Sequence, residues 1–382
     1  MFHLIFGLPW LVVVTRFLWP LQLPLAAKLA AAVLLLIAAQ YHLWSRLSSG
    51  SVFAPEFPRA VVMLFNWAFG AIVLLAAMQV LLDVATLLAM LVHSGVHVPD
   101  GVRYTMAAVV AVLAAIGVHQ ATRVPDLKDV EIAIPDLPSQ FDGYTMLQLT
   151  DLHISRLFPA KWTRAVVDKS NALDADLIVI TGDLIDGSLA IRRDDVEPLR
   201  DLRAKDGVYA IPGNHEYFFS YRPWMTHFAG MGMRILENGH ALLDRDGSRL
   251  VLAGVTDASA PATGNPAPDL TAAIRGAPAG VPVILLDHQP RNARHAAAAG
   301  VALQLSGHTH GGMVSGLDRL AARANAGYIS GRYDVEGMTL YVNNGTALWP
   351  GFALRLGRPS ELTRITLRQV SGPLMSSRLL DR

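Results

Sequence analysis

The chain has no cysteine among its 382 residues, and this absence removes several classes of function. No disulfide can form, and no thiolate is present as a nucleophile or a metal ligand, so zinc-finger and cysteine-protease functions are excluded. The 13 histidines and 31 acidic residues remain as ligands, which suits metal sites built from imidazole and carboxylate. A cysteine-free chain tolerates any redox compartment, so the compartment stays undetermined.

A strong net charge is also missing, since the formal charge is +1 and Lys and Arg form no run. A nucleic-acid partner is therefore not expected. The glycine-rich motifs that bind nucleotide phosphates and dinucleotides are absent as well. Of the 32 basic and 31 acidic residues only eight precede His119: Arg16, Lys28, Arg46, Glu56, Arg59, Asp83, Asp100 and Arg103. The chain thus joins two chemically different halves.

Four apolar stretches fill most of the charge-poor half, each near the roughly 20 residues that a helix needs to cross a bilayer. They cover residues 4–19, 25–44, 60–82 and 104–118. Aromatic residues that favour the headgroup level of a membrane lie toward their ends: Trp10, Trp19, Tyr41, Trp44 and Tyr104. We predict a transmembrane region of about four helices over residues 1–120, within a range of three to five crossings, in contact with membrane lipids.

The chain is expected to be an integral membrane protein. The first stretch is expected to be retained, because no Lys or Arg precedes it and further apolar stretches follow. Basic residues flank both sides of a four-span arrangement in nearly equal number, so the sequence does not decide on which side of the membrane the second half lies. A linker with an edge strand is predicted over residues 121–143, an α/β domain over 144–370 and a tail over 371–382.

Five short hydrophobic runs in the second half end on polar residues. The runs cover residues 144–150, 176–181, 207–211, 281–286 and 301–305, and helical stretches separate several of them. The polar residues that follow are Asp151, His153, Asp183, Asn214, His215, His288, His308 and His310. In open α/β sheets the carboxyl ends of the strands form the edge at which ligands bind, so we expect these side chains to meet there.

Carboxylates and histidines in this number indicate a site with two metal ions. Two cations roughly 3.5 to 4 Å apart need an anionic bridge, so one carboxylate must be shared. Neutral imidazole nitrogen selects a transition metal over magnesium or calcium, which prefer oxygen ligands.

The order of these motifs resembles that of the calcineurin-like metallophosphoesterases, in the bacterial branch with N-terminal transmembrane segments. The motifs are Asp151-Leu-His153, Gly182-Asp183, Gly213-Asn214-His215-Glu216, His288 and Gly307-His308-Thr309-His310. The resemblance covers residues 143–367. It implies an α/β metallophosphoesterase domain in which two β-sheets are sandwiched between helices, a four-layer αββα arrangement.

The resemblance also implies a role for each residue. Asp151, His153 and His310 would hold one metal ion, Asn214, His288 and His308 the other, and Asp183 would bridge the two. His215 would face the substrate, where it stabilises phosphate charge or protonates the leaving oxygen, and Glu216 would orient a neighbour. The cofactors would be two divalent transition-metal ions, Mn, Fe or Zn, which activate a hydroxide for attack on phosphorus. Asp287 departs from the small polar residue common in this branch, and we expect its side chain to point away from the ligand.

The metal site alone leaves the substrate open. Monoesterases, diesterases, pyrophosphatases and nucleases share it, and a membrane-bound module that only binds metal or phosphate is the non-enzyme alternative. We expect a lipid-linked phosphodiester or pyrophosphate, against the alternatives of a soluble phosphomonoester or a nucleotide diester. The apolar segment 348–354 would then contact acyl chains at the mouth of the site, or else pack beneath the last strand.

Overall fold

The computed structural model describes residues 2–93 and 95–370, apart from the side chains of residues 2–6 and of residue 320. The tail predicted over residues 371–382 lies outside the described residues. Within them, a helical N-terminal region is followed by two β-sheets with helices on their outer faces.

In its described residues, the N-terminal region contains five α-helices. They are α1 Phe2–Val12, which continues as a wider helix over Val13–Leu18, α2 Leu25–Ala39, α3 Tyr41–Ser49, α4 Arg59–Met90 and α5 Asp100–Thr122. Among the described helices, α4 and α5 are long and apolar enough to cross a membrane. Helices α2 and α3 meet at an angle of 50° and qualify as a third span only if they are taken together, and Gly7–Leu18 is shorter. The apolar stretches over residues 60–82 and 104–118 thus lie within helices, α4 and α5, that are longer than the stretches themselves.

The rest of the chain alternates strands and helices. The strands are β1 Leu127–Ile134, β2 Thr145–Leu149, β3 Leu177–Thr181, β4 Val208–Ile211, β5 Arg234–Ile235, β6 Gly239–Arg245, β7 Ser248–Gly254, β8 Val283–Leu286, β9 Leu303–Ser306, β10 Gly331–Val335, β11 Met338–Val342 and β12 Leu362–Gln369. The helices are α6 Ala160–Asn171, α7 Leu189–Val196, α8 Asn214–Phe218, α9 Tyr221–Gly230, α10 Leu270–Ala273, α11 Ala293–Ala298 and α12 Asp318–Ala324. The edge strand expected in the linker over residues 121–143 corresponds to β1.

Each sheet has six strands and mixes parallel with antiparallel pairs. The first has the order β1-β12-β2-β3-β4-β5 and the second β10-β11-β9-β8-β7-β6. Strands β2, β3 and β4 pair in parallel, as do β7, β8, β9 and β11. Their carboxyl ends therefore lie on one edge of each sheet, which brings the polar residues after them together.

Alternating side chains divide the core into layers. Ile178 and Ile180 of β3 face the helices of the first sheet, whereas Leu177 and Val179 face the second sheet. The second sheet alternates likewise, with Leu286 toward the first sheet and Leu285 toward α10 and α11. Successive side chains of a strand point to opposite faces, so strands that are apolar throughout require cover on both sides. The predicted four-layer αββα fold is confirmed.

The helical region packs directly on the αββα domain. Asn66 of α4 accepts a hydrogen bond from Ala353 N at 2.6 Å, and Arg355 N donates to Gly117 O of α5 at 3.0 Å. Leu354 fits against Gly117 so closely that a Cβ there would lie 2.6 Å from the leucine Cδ1. Leu348 and Leu354 are fully buried, so the expectation that these two leucines contact acyl chains is wrong, whereas Trp349 and Phe352 of the same segment are half-buried.

Candidate metal centre

The predicted site residues lie in the turns that follow β2, β3, β4, β8 and β9, at the shared edge of the sheets. Five of them have left-handed backbones with positive φ: Asp151 51°, His153 43°, Asp183 54°, His308 68° and His310 50°. Each non-glycine residue in this conformation costs on the order of 1–3 kcal/mol, and such strain concentrates at functional sites. The turns direct successive polar side chains into one space.

Glycine allows these turns to approach one another. A Cβ on Gly213 would overlap the carboxylate of Asp183, and a Cβ on Gly307 would overlap the carboxylate of Asp151. The residues before Asn214 and before His308 must therefore lack a side chain. His308 N also donates to both carboxylate oxygens of Asp151, at 3.1 and 3.2 Å, so the turn after β9 holds the turn after β2.

One set of potential ligands consists of Asp151, His153 and His310. One ligand atom from each lies within 4.8 Å of the others. The Nε2 atoms of His153 and His310 are 3.8 and 3.6 Å from Asp151 Oδ1. His153 Nε2 is fully buried and has no hydrogen-bond partner among the described residues. A buried ring nitrogen that faces a carboxylate without a hydrogen bond fits a metal ligand.

The second set consists of Asn214, His288 and His308. Asn214 Oδ1 lies 3.2 Å from His288 Nε2 and 2.9 Å from His308 Nδ1. His288 Nδ1 is 2.7 Å from the carbonyl oxygen of Thr181, which can only accept a hydrogen bond. The proton of a neutral His288 therefore sits on Nδ1 and leaves the Nε2 lone pair directed into the site, as a ligating histidine requires.

Asp183 lies between the two sets. Its Oδ2 is 3.8 Å from His153 Nε2 of the first set and 3.2 Å from His288 Nε2 of the second. Its Oδ1 accepts a hydrogen bond of 2.8 Å from His215 N. Within the described chain this carboxylate has the position that a bridge between two cations requires.

The charges at this edge compensate one another. Burial opposes ionisation of Asp183, but His288 and His215 nearby hold the pKa of its carboxyl well below the usual range. Burial lowers the pKa of His310 to about 3, and burial together with His288 lowers the pKa of His308 to about 4. His310 and His308 are therefore neutral near pH 7, with the lone pairs that metal coordination needs.

Asp186 is a site residue that the sequence reasoning missed. Its Oδ2 lies 3.1 Å from His153 Nδ1, and its Oδ1 is hydrogen-bonded to His215 Nδ1. One carboxylate thus orients both rings and leaves each Nε2 facing Asp183, at 3.8 Å from His153 and 4.0 Å from His215. The available signal was a second acid three residues after Asp183, on the turn that leaves β3.

Glu216 and Asp287 have the positions expected of them. Glu216 accepts hydrogen bonds from three backbone N–H groups, of Asp183 at 3.0 Å, Gly213 at 2.7 Å and Leu184 at 2.7 Å, so it shapes the turns that carry the ligands. Asp287 lines a cavity of about 470 Å³ whose lining includes none of the seven predicted ligands. Burial, with Asp257 nearby, raises the pKa of the Asp287 carboxyl to about 7.

Comparison with known proteins agrees with this geometry. Residues 144–312 match the family model of the calcineurin-like phosphoesterases. The chain is 34% identical over 270 residues to a Danio rerio protein named transmembrane protein with metallophosphoesterase domain, which covers 68% of this chain and 61% of that one. It is 32% identical over 246 residues to the Bacillus subtilis metallophosphoesterase YkuE, covering 62% of this chain and 82% of YkuE.

Among solved structures, a 5'-nucleotidase precursor from Thermus thermophilus aligns with a TM-score of 0.38 and 18% identity, over 56% of this chain and 53% of that one. The matches to the Danio rerio and Bos taurus relatives span about three fifths of the length of those proteins, 61% in each case.

Proposed function

The chain belongs to the calcineurin-like metallophosphoesterase family, and from this premise we propose that it is a membrane-anchored hydrolase that cleaves a phosphate ester with two divalent metal ions. The observation that carries the proposal is the position of Asp183, whose Oδ2 faces His153 on one side and His288 on the other. A single bound ion would need no shared carboxylate.

The proposed ligands form two sets joined by that carboxylate. Asp151, His153 and His310 would hold one ion, and Asn214, His288 and His308 the other. When bound, the two ions would lower the pKa of a water between them toward neutrality and offset the charge of the phosphate. The histidine nitrogens favour Mn, Fe or Zn over magnesium and calcium.

His215 has a different role in this proposal, because its Nδ1 is engaged by Asp186 and it belongs to neither ligand set. Its Nε2, 4.0 Å from Asp183 Oδ2, would stabilise the charge on the phosphate or give its proton to the leaving oxygen. Burial opposes its protonation, but Asp186 and Asp183 raise the pKa of the His215 imidazole, which supports the role of proton donor.

We propose that helices α4 and α5 anchor the enzyme in the bacterial inner membrane. Their length and apolar character support this, and so does the name of the Danio rerio relative, a transmembrane protein. The substrate that we favour is a lipid-linked phosphodiester or pyrophosphate, since the helical region packs beside the site. A soluble phosphomonoester or a nucleotide diester is the alternative. A module that only binds metal or phosphate is disfavoured, because all seven ligand positions carry competent side chains.

A substrate screen of the purified full chain in lipid nanodiscs tests the proposal. The protein is loaded separately with manganese, iron and zinc, its metal content is determined by elemental analysis, and hydrolysis of lipid-linked and soluble phosphoesters is measured. We expect two ions per chain and the highest kcat/KM on a lipid-linked ester. Asp183→Asn serves as the inactive control. One ion or none per active chain would refute the two-metal site, and a preference for soluble esters would refute the lipid substrate.

A further inference from the structure

The connection between α3 and α4, residues 50–58, lies against the αββα domain beside the candidate metal centre. Glu56 Oε2 accepts a hydrogen bond from Arg156 Nε at 2.8 Å, and its other oxygen pairs with Arg192, whose side chain is fully buried. Arg59 Nε donates to Leu157 O at 2.9 Å at the start of α4.

The buried Arg192 also contacts the candidate metal centre, because its Nε donates to the carbonyl oxygen of Asp186 at 3.0 Å. The connection is therefore held in place by charged contacts, of which the buried Glu56–Arg192 pair reaches the residue that orients His215.

This connection brings an aromatic ring to His215. The ring of Phe53 is centred 5.3 Å from the imidazole of His215, at an angle of 64°. It stacks on Phe218 at 5.1 Å and meets Trp349 edge-on at 5.5 Å. Phe218 is also 5.2 Å from His215. Phe53, Phe218 and Trp349, which we call the aromatic wall, thus border His215, and the helical region supplies the central ring.

The aromatic wall is not a closed piece of core. Phe218 is 45% exposed, and Phe53 and Trp349 are half-buried, in a domain that buries nearly all its other large apolar residues. Exposed apolar surface next to a polar site is typical of a surface that binds a ligand. Because aromatic rings gain free energy from apolar contact, the wall favours an apolar group over a hydrated one.

We propose that Phe53 is a specificity-determining residue, and that the aromatic wall seats the apolar part of the alcohol that leaves when the phosphate ester is cleaved. The inference rests on the proposed function, and on the one of its two roles for His215 in which the imidazole gives its proton to the leaving oxygen. Whatever that oxygen carries must then lie against Phe53 and Phe218.

The alcohol that fits best is that of a membrane lipid. The segment that supplies Phe53 lies between α3 and the candidate span α4, and Trp349 also contacts His42 of α3 at 5.8 Å. Both helices carry apolar side chains that face outward, with Leu47 69% and Leu64 60% exposed. A soluble aromatic group, such as a nucleobase, would contact only the three rings of the wall, and the apolar side chains of these helices would not contribute to its binding.

Binding of phosphonates tests the wall without the need for a known substrate. Methyl-, hexyl- and benzylphosphonate share a head that resembles phosphate and differ only in the attached group. Their affinities for the metal-loaded full chain in nanodiscs are measured by calorimetry and by inhibition of bis(p-nitrophenyl) phosphate hydrolysis. We expect hexylphosphonate to bind at least about 10-fold more tightly than methylphosphonate, since five additional methylene groups contact an apolar surface.

Phe53→Ala should reduce the hexyl-to-methyl affinity ratio about 5- to 10-fold, and Phe53→Leu should reduce it less. The matched control is Phe57→Ala, on the same connection, because the Phe57 ring packs toward Phe65 at 6.1 Å. The affinity ratio of this variant should stay within about twofold of that of the unmodified protein. Metal content and thermal midpoint are measured for all three variants.

Three results would overturn the inference. The first is equal affinity of the unmodified protein for hexyl- and methylphosphonate, and the second is a loss of selectivity in Phe57→Ala equal to that in Phe53→Ala. The third is a preference for benzyl- over methylphosphonate without a preference for hexylphosphonate, which would assign the wall to the binding of aromatic rings. If the protein binds these phosphonates with the expected selectivity but hydrolyses no ester, the proposed hydrolase fails while the apolar subsite stands. Hydrolysis without selectivity leaves the hydrolase and removes the subsite.

Discussion

The two regions of the molecule place their apolar side chains in opposite directions. In the helical region many large apolar residues face outward, among them Leu34, 67% exposed, Leu81, 68%, and Leu91, 78%. In the described part of the chain from residue 127 onward, the exposed large apolar residues are Ile191, Phe218, Leu242, Leu317 and Val370. The hydrophobic effect acts on the apolar side chains of both regions. Only the helical region has a surface suited to lipid, where outward-facing apolar side chains carry no free-energy cost.

Polar residues show the converse. The αββα domain buries carboxylates and histidines at the ends of its strands, where strained turns and mutual hydrogen bonds hold them. Buried charge is tolerated only when it is paired or bound to a metal ion. The carboxylates and histidines at the strand ends are therefore stable only beside one another or beside a cation. The two regions meet along α4 and α5 and, next to His215, at residues 50–58.

The largest effect is expected from Asp183→Asn, which removes the carboxylate that we propose is shared by the two ions. Both ions should be lost or greatly weakened, and kcat/KM should fall by at least ~1000-fold, since metal ions supply several kcal/mol of transition-state stabilisation. Elemental analysis and hydrolysis by the full chain measure this. Asp201→Asn, at a residue 57% exposed and paired with Arg164, is the matched control. Two tightly bound ions with activity intact in Asp183→Asn would contradict the bridging role.

His215→Asn should separate catalysis from metal binding. Because His215 lies outside both ligand sets, the metal content should stay nearly unchanged, while kcat falls roughly 10²- to 10⁴-fold, the range for loss of a proton-transfer group. Metal analysis and single-turnover kinetics on the same sample provide the comparison. A variant that loses its metal ions, beside an Asp183→Asn variant that keeps them, would reverse the two assigned roles.

Asp186→Asn tests the residue that only the structure reveals. Removal of the shared acceptor should loosen the rings of His153 and His215 together, with a loss of about 10- to 100-fold in metal affinity or activity. Asp195→Asn is the matched control, because Asp195 accepts hydrogen bonds from Arg192 and from Ala160 N. If the two variants behave alike in metal titrations and in kcat, Asp186 does not act by orienting the histidines.

The smallest effect is expected from Glu56→Gln, at the junction of the two regions. The buried Arg192 would lose one of its two anionic partners and keep Asp195, which should cost on the order of 1–3 kcal/mol of unfolding free energy. The thermal midpoint of the full chain in detergent should fall, with metal content retained. Glu197→Gln, which breaks a pair with the half-exposed Arg200, should change the midpoint little. Equal shifts in the two variants would show that Glu56 does not join the regions.

Several elements were predictable because their signals are local. Each hydrophobic run followed by Asp, Asn or His occupies a few consecutive residues, and parallel strands bring such ends to one edge whatever the rest of the chain does. The approach of the polar residues at the strand ends followed from this, whereas the αββα sandwich and the orienting role of Glu216 were implied by the resemblance to a known family. The ligand roles themselves stay predictions. Asp186 escaped notice because its partners His153 and His215 lie 33 and 29 residues away in sequence.

The amino-acid sequence by itself determined the division into an apolar helical half and an α/β half, the family, and the residues offered to metal ions, because periodicity and motif order are properties of short segments. Tertiary structure alone decided which histidines share a carboxylate, that Leu348 and Leu354 are buried, and that Phe53 reaches His215. Each of these depends on side chains from distant segments meeting in one place, as Asn66 and Ala353 do across 287 residues. Such contacts arise only when whole layers pack, and no local pattern encodes them.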